Sequence, residues 1–317
     1  MTIAFTFPGQ GSQQVGMGAD LAETYGTARD VFQEVDDALG QKLSAIMWQG
    51  PEEDLTLTEN AQPALMAVSL AVMRVLERDK GLKLDRAVRF VAGHSLGEYS
   101  ALAAAGSLAL ADTARLLKTR GQAMQQAVPV GEGAMAALLG AEMADAKRLA
   151  DDAAQGDVCE AANDNAPGQI VISGNREAVE RAIEMAPDYG ARRAVLLPVS
   201  APFHCSLMEP AAKVMAEALG AVEVKSPAIP LIANVTASEI TDADEIRQRL
   251  VEQVTGVVRW RGSVAYMVEK GVGSLYEIGA GRVLTGLARR IDRDIEAKSV
   301  GSPEEIDAAM EALGTNS

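Results

Sequence analysis

Histidine is nearly absent from this 317-residue chain, which carries His94 and His204 and no others. Cysteine is as scarce, and Cys159 and Cys205 are too few for a disulfide framework. Neither a CxxC nor an HExxH spacing occurs, which removes a structural or catalytic zinc site from consideration. Basic residues are outnumbered, 29 against 44 acidic, for a formal charge of −15. That balance, with no Lys/Arg stripe to override it, excludes nucleic acid as a partner. No apolar run approaches the roughly 18 residues of a membrane helix, because Arg74 interrupts "AVSLAVMRVLERD". A membrane partner is therefore not expected. The opening "MTIAFTFPGQGSQ" lacks a charged segment followed by an apolar one, so no secretory leader is expected and the protein is placed in the reducing cytoplasm.

Hydrophobic residues make up 48% of the chain, enough for a large core in one domain or two. Strand-like and helix-like segments alternate without repeats or low complexity. "TIAFTF" reads as a strand ending at Pro8, "DLAETYGTARDVFQEVDDAL" as one amphipathic helix, and "RAVRFVAG" as a strand running into a serine turn. Strand, turn and helix around that serine indicate an α/β layer architecture. Between about Gly131 and Ser200 the order becomes β-α-β-β-α-β, the split βαβ plan of a ferredoxin-like domain. The expected organisation is a large α/β domain over residues 1–130 and 200–317 with a small ferredoxin-like domain, 131–199, inserted in it.

The serine lies in "FVAGHSLGEYSA", Phe90 to Ala101. Gly93 and Gly97 flank Ser95 in GxSxG spacing, which suits a nucleophile on a sharp strand-to-helix turn where backbones approach closely. The amide of Leu96, at the positive end of the following helix, is placed to donate to a developing oxyanion. A serine hydroxyl needs a base. His94 is adjacent in sequence and leaves the turn in another direction, so His204, in the loop "SAPFHCSLM", is the favoured base. Cys205 beside it reads as a small buried residue rather than a thiol nucleophile. No triad acid is evident. Asp164 falls in the small domain and is a poor nominee, and a backbone carbonyl serves an imidazole equally well as an acceptor.

In "TARLLKTRGQAMQQA", Arg115, Lys118, Thr119, Gln122 and Gln126 share a polar helix face, whereas Arg120 keeps phase with Leu116, Leu117 and Met124. An inward guanidinium demands an anion. Either a core carboxylate pairs with it or a substrate carboxylate is gripped bidentately.

Seven segments taken in order resemble the malonyl-CoA:acyl carrier protein transacylases of bacterial fatty acid synthesis: "FPGQGSQ" from Phe7, "GHSLGEYSAL" from Gly93, "TRGQAM" from Thr119, "NAPGQIVISG" from Asn165, "FHCSLM" from Phe203, "NVTA" from Asn234 and "EIGAGRVLTGL" from Glu277. The resemblance spans essentially the whole chain. It implies an α/β-hydrolase-like large domain, a cytoplasmic acyltransferase, and malonyl-CoA and acyl carrier protein as partners. No cofactor is implied, since CoA and the carrier's phosphopantetheine are substrates. It further implies Ser95 as nucleophile, His204 as base, Arg120 as clamp on the malonyl carboxylate, the amides of Gln10 and Leu96 as oxyanion hole, and the carbonyl of Gln253 as the histidine's acceptor. Phe203 matches a bulky residue of malonyl-selective relatives, set to disfavour a methyl branch by about 1 to 3 kcal/mol.

Two positions depart from the family pattern. Val257 in "QVTGVVRW" replaces a proline, so a looser loop is expected around the Gln253 carbonyl, and "GAGR" at Gly279 to Arg282 replaces a Gly-Pro-Gly-Lys with its charge kept. A serine thioesterase would share Ser95 and His204 but send the acyl group to water, and an inward Arg120 with no triad acid speaks against it. A non-catalytic carrier-docking module would have no need of both nucleophile and base. Because the chain and acyl carrier proteins are both acidic, docking calls for a local basic patch. Arg192 and Arg193, or Arg282, Arg289 and Arg290, are the candidates.

Overall fold

The apolar run TIAFTF forms β1 (Thr2–Phe7), which stops where Pro8 withdraws a backbone donor. The computed structural model describes residues 2–314. Nine further strands follow among the described residues: β2 (Phe90–Gly93), β3 (Gly133–Leu139), β4 (Cys159–Ala166), β5 (Gln169–Asn175), β6 (Arg193–Leu196), β7 (Leu231–Ala233), β8 (Ser238–Ile240), β9 (Val272–Ile278) and β10 (Glu296–Val300). They divide into two sheets. One has the order β10-β9-β1-β2-β7-β8, parallel throughout except for β8 at its edge. Both faces of its centre are covered, as a parallel sheet requires. Phe5, Phe7 and Val91 pack into one core, and Ala4, Phe90 and Ala92 into another built around Trp260.

The second sheet, β4-β5-β3-β6, is antiparallel. With the helices Met143–Ala154 and Arg176–Met185 it follows the expected β-α-β-β-α-β order. Leu138, Ile170 and Ile172 close a separate core against Leu149 and Val179 of those helices. β4 is sewn to the segment after Gln253: Val258 donates to Ala162 O and Asp164 to Val258 O, each at 2.9 Å. The loop that lacks the family's proline is thus fastened on its far side by two main-chain hydrogen bonds.

Two elements differ from the expectations. The long helix after Pro8 is two, Ala19–Thr24 and Gly26–Leu39, because Tyr25 is extended (φ −120°, ψ 123°). Apolar spacing continues in phase across Gly26, so periodicity alone does not reveal the break. β6 keeps only four residues of "ARRAVLLPVS", since it lies at the sheet edge and has a single partner strand. Among the described residues no helix is long and apolar enough to cross a membrane.

Candidate active site

β2 ends where the two glycines of the elbow let backbones touch. A Cβ on Gly93 would lie 1.9 Å from the carbonyl carbon of Gly97, and one on Gly97 would lie 2.2 Å from Phe7 O. Neither obstacle is a side chain able to move aside. Gly93→Ala is therefore expected to destabilise the protein by roughly 3 kcal/mol or more, beyond the usual overpacking range, read as a lower urea midpoint. An unchanged midpoint would mean the turn is laxer than its geometry.

The turn leaves Ser95 at φ 53°, in the left-handed region. Side chains from distant segments hold it there. Ser95 N donates to Asn234 Oδ1 at 2.8 Å, Asn234 Nδ2 donates to Gly93 O at 2.7 Å, and Gln253 Nε2 donates to Ser95 O at 2.9 Å. Ser95 is aimed by three hydrogen bonds that do not involve its hydroxyl.

His204 also sits at positive φ, 60°. Its Nε2 is 2.8 Å from Ser95 Oγ, and its Nδ1 is 2.9 Å from the carbonyl oxygen of Gln253. A carbonyl only accepts, so Nδ1 carries the hydrogen and Nε2 presents a lone pair to the serine. Burial, reinforced by the nearby Arg120 charge, pushes the imidazole down to about 3. The sign is clear: a depressed value keeps the base neutral as acid is added. The acid limb of kcat/KM, which reports the free enzyme, is expected well below the ordinary histidine value of about 6.5. A limb centred at 6.5 would contradict a base in this environment.

The competing candidates point elsewhere. His94 Nε2 is 2.8 Å from Asn165 Oδ1, with its ring 5.8 Å from that of Trp260. Cys205 is fully buried, its Sγ donates to Pro202 O at 3.2 Å, and burial pushes the thiol up to about 11. Asp164 pairs with Arg261 at 3.0 Å.

The N–H groups of Gln10 and Leu96 donate to no acceptor among the described residues. The loop bearing Gln10 lies on the elbow, for a Cβ on Gly9 would come within 2.8 Å of His94 O. Gln10 Nε2 donates to Thr58 Oγ1 at 3.3 Å, tying the loop down from its other side.

Arg120 is 1% exposed. Its Nη1 donates to Gln62 Oε1 at 2.8 Å, and its Nη2 donates to Gln253 Oε1 at 2.8 Å and to Ser95 Oγ at 3.1 Å. The guanidinium lies 5.7 Å from the Tyr99 ring centre, and its Nε has no partner. Burial works against its charge, yet a guanidinium keeps its proton. No carboxylate stands within ion-pair range of it among the described residues, so the structural salt bridge left open by the sequence is not made. Phe203, directly before the base, is buried in the main core.

Four side-chain contributions were not legible beforehand: Gln62, Glu98, Asn234 and the amide of Gln253. Three of them carried a local signal: Gln62 is a polar residue in the helix Thr58–Arg74, whose residues 60–73 are all buried, Glu98 lies in the buried stretch Gly97–Leu102, and Gln253 is in phase with Ile246, Leu250 and Val254.

The acyl transferase domain family matches residues 4–293. The malonyl CoA-acyl carrier protein transacylase of Escherichia coli (strain K12) is 46% identical over 309 residues, covering 98% of this chain and 99% of that protein. An acyl-carrier-protein-S-malonyltransferase from Bartonella henselae superposes with a TM-score of 0.97 at 58% identity, over 99% of this chain and 100% of that one. A malonyl-transacylase solved in complex with its type II PKS acyl-carrier protein superposes with a TM-score of 0.95 at 44% identity, over 98% of this chain and 100% of that one. By sequence along nearly its whole length and by fold, the chain belongs to the acyl transferase family, within its malonyl-CoA:acyl carrier protein transacylases.

Proposed function

We propose that the protein moves a malonyl group from malonyl-CoA to the phosphopantetheine thiol of acyl carrier protein through a malonyl ester of Ser95, supplying fatty acid synthesis in the cytoplasm. The observation that carries this reading is a buried guanidinium with no carboxylate partner, 3.1 Å from the nucleophile. A malonyl carboxylate lies two bonds from the carbonyl carbon that the serine attacks. The clamp must therefore stand next to Oγ, which is where Arg120 stands.

His204 Nε2 takes the hydroxyl proton as Oγ adds to the thioester carbonyl, and the oxyanion settles on the N–H groups of Gln10 and Leu96. Collapse breaks the C–S bond, and the imidazolium returns its proton to the departing CoA thiolate. The carrier thiol then gives its proton to His204 and adds to the ester carbonyl, the C–Oγ bond breaks, and the imidazolium returns the proton to Ser95 Oγ, so the kinetics are ping-pong. Each amide donor contributes roughly 2.7 to 4 kcal/mol to the transition state. CoA and phosphopantetheine enter as substrates, and every step uses groups of the chain itself without a cofactor. The Phe203 ring fills the space a methyl branch needs and sets malonyl above methylmalonyl.

Residues 131–199 act as the small domain closing over the elbow, and 1–130 with 200–317 as the large one. Arg192 and Arg193 are exposed and in no ion pair among the described residues, whereas Arg282 is bound to Glu305 at 2.8 Å and Arg289 and Arg290, though exposed and in no ion pair, donate to Ala297 O at 2.9 Å and to Gln169 Oε1 at 2.8 Å. That difference favours the first pair for docking an acidic carrier.

The direct test is the intact mass of the protein after malonyl-CoA, then after carrier bearing its pantetheine arm. The expected result is an adduct on Ser95 that moves to the carrier. Decay to free malonate at the same rate with or without carrier would make the protein a hydrolase. No adduct at all would leave a docking module. Arg120→Ala is expected to cost malonyl transfer at least about 1.5 to 3 kcal/mol, the range of a charged hydrogen bond, and acetyl transfer far less. Equal losses in kcat/KM for the two acyl groups would remove Arg120 from the clamp.

A further inference from the structure

Glu98 is a carboxyl group that no step above uses, and it is 1% exposed in the helix that follows the nucleophile. Its Oε2 accepts from Gln253 Nε2 at 2.7 Å and from the main-chain N–H of Asn234 at 3.2 Å, while Oε1 has no partner. A half-satisfied buried carboxyl is costly, so it is a poor choice for packing alone. Burial pushes it up to about 7.

Its two bonds lead into the whole site. Asn234 holds both sides of the elbow, at Ser95 N and Gly93 O. Gln253 offers its carbonyl to His204 and its amide oxygen to Arg120. A glutamine amide has nearly the same shape when turned over, and only its hydrogen-bond partners decide which end faces where. Turned over, Gln253 would present an NH2 group to the guanidinium, donor against donor. Oε2 of Glu98, 2.7 Å from Nε2, is the nearer of two acceptors on the opposite side, with Ser95 O at 2.9 Å, and facing an oxygen toward this carboxyl makes that arrangement unfavourable.

We infer that Glu98 is a positioning residue that sets the orientation of the Gln253 amide and, through it, the Arg120 guanidinium that receives the malonyl carboxylate. The inference rests on Arg120 being the clamp. The experiment compares kcat/KM for malonyl-CoA and acetyl-CoA in wild type, Glu98→Ala, Glu98→Gln, Arg120→Ala and the double variant Glu98→Ala/Arg120→Ala.

Glu98→Ala is expected to lower the malonyl-to-acetyl ratio by about tenfold or more, as for loss of a charge-assisted bond. Glu98→Gln keeps an acceptor oxygen for Gln253 and Asn234 and should hold the ratio within about threefold of wild type. In the Arg120→Ala background, removing Glu98 should leave the ratio where Arg120→Ala put it, because the two act through one contact. If Glu98→Ala slows both substrates alike while Arg120→Ala discriminates, Glu98 is merely structural and the clamp stands. If Arg120→Ala does not discriminate, the clamp falls and this inference with it. Should Glu98→Ala fail to fold, Glu98→Asp, one methylene shorter with the charge kept, takes its place with the same expected and overturning results.

Discussion

Ser95→Ala leaves no malonyl ester: the intact mass after malonyl-CoA is expected to equal that of the untreated protein, with transfer to carrier lowered roughly 10⁴- to 10⁶-fold. The loss would be chemical rather than structural. The bonds that hold the elbow, from Asn234 to Ser95 N and from Gln253 to Ser95 O, are made to the main chain and survive the substitution. Alanine keeps the same Cβ at φ 53°, so the backbone strain is unchanged and the thermal midpoint should be nearly so. Malonyl-CoA should still bind, because Arg120 keeps its amide partners Gln62 and Gln253. An adduct appearing in Ser95→Ala at the wild-type rate would place the nucleophile elsewhere, and Cys205, the neighbour of the base, would be the first residue to map.

His204→Ala is expected to slow ester formation about 10²- to 10⁴-fold, the usual share of general base catalysis. The stoichiometry of the ester should be unchanged, since Ser95 remains and the two oxyanion donors are peptide groups. Its rate should now climb with pH, as hydroxide takes over the proton. Arg120 Nη2, 3.1 Å from Oγ, favours the alkoxide in that variant and keeps the residual rate above that in water. A loss below tenfold, with the pH profile unaltered, would mean that another group takes the proton.

The parts of this site that were legible in the sequence are those whose signal is local. GxSxG declares a turn because glycine is required where Gly97 meets Phe7 O and Gly93 meets Gly97. Arg120 shows itself by falling in phase with leucines on one helix. His204 was found by scarcity, there being only two histidines from which to choose. The remainder is long-range. Asn234 reaches Ser95 across 139 positions, and Gln253 reaches Glu98 across 155. Asn234 has no periodicity in its segment to announce the contact, and Gln253, in phase with Ile246, Leu250 and Val254, is marked as inward without its partner being named. The main-chain bonds that fasten Val258 are likewise long-range, coming from β4 almost a hundred residues earlier and not from the loop's own composition. The two-sheet plan was readable because β-α-β-β-α-β is a pattern of order alone, while the break at Tyr25 was not, since it changes the backbone without disturbing the apolar phase.

The acceptor that orients His204 is a peptide oxygen, and the donors assigned to the oxyanion are peptide N–H groups. No codon change deletes a peptide carbonyl, and only a change to proline removes a peptide N–H. Missense variation can erase Ser95, His204 or Arg120 outright, but it reaches the orienting and charge-stabilising half of the apparatus only through proline or by bending the chain. In a population of drifting sequences, that half should register as constraint on loop length, on glycine placement and on the exclusion of proline rather than on the side chains of Gln10 or Leu96. An inhibitor that seats an oxyanion mimic on those amides would press on atoms that only a proline codon could remove.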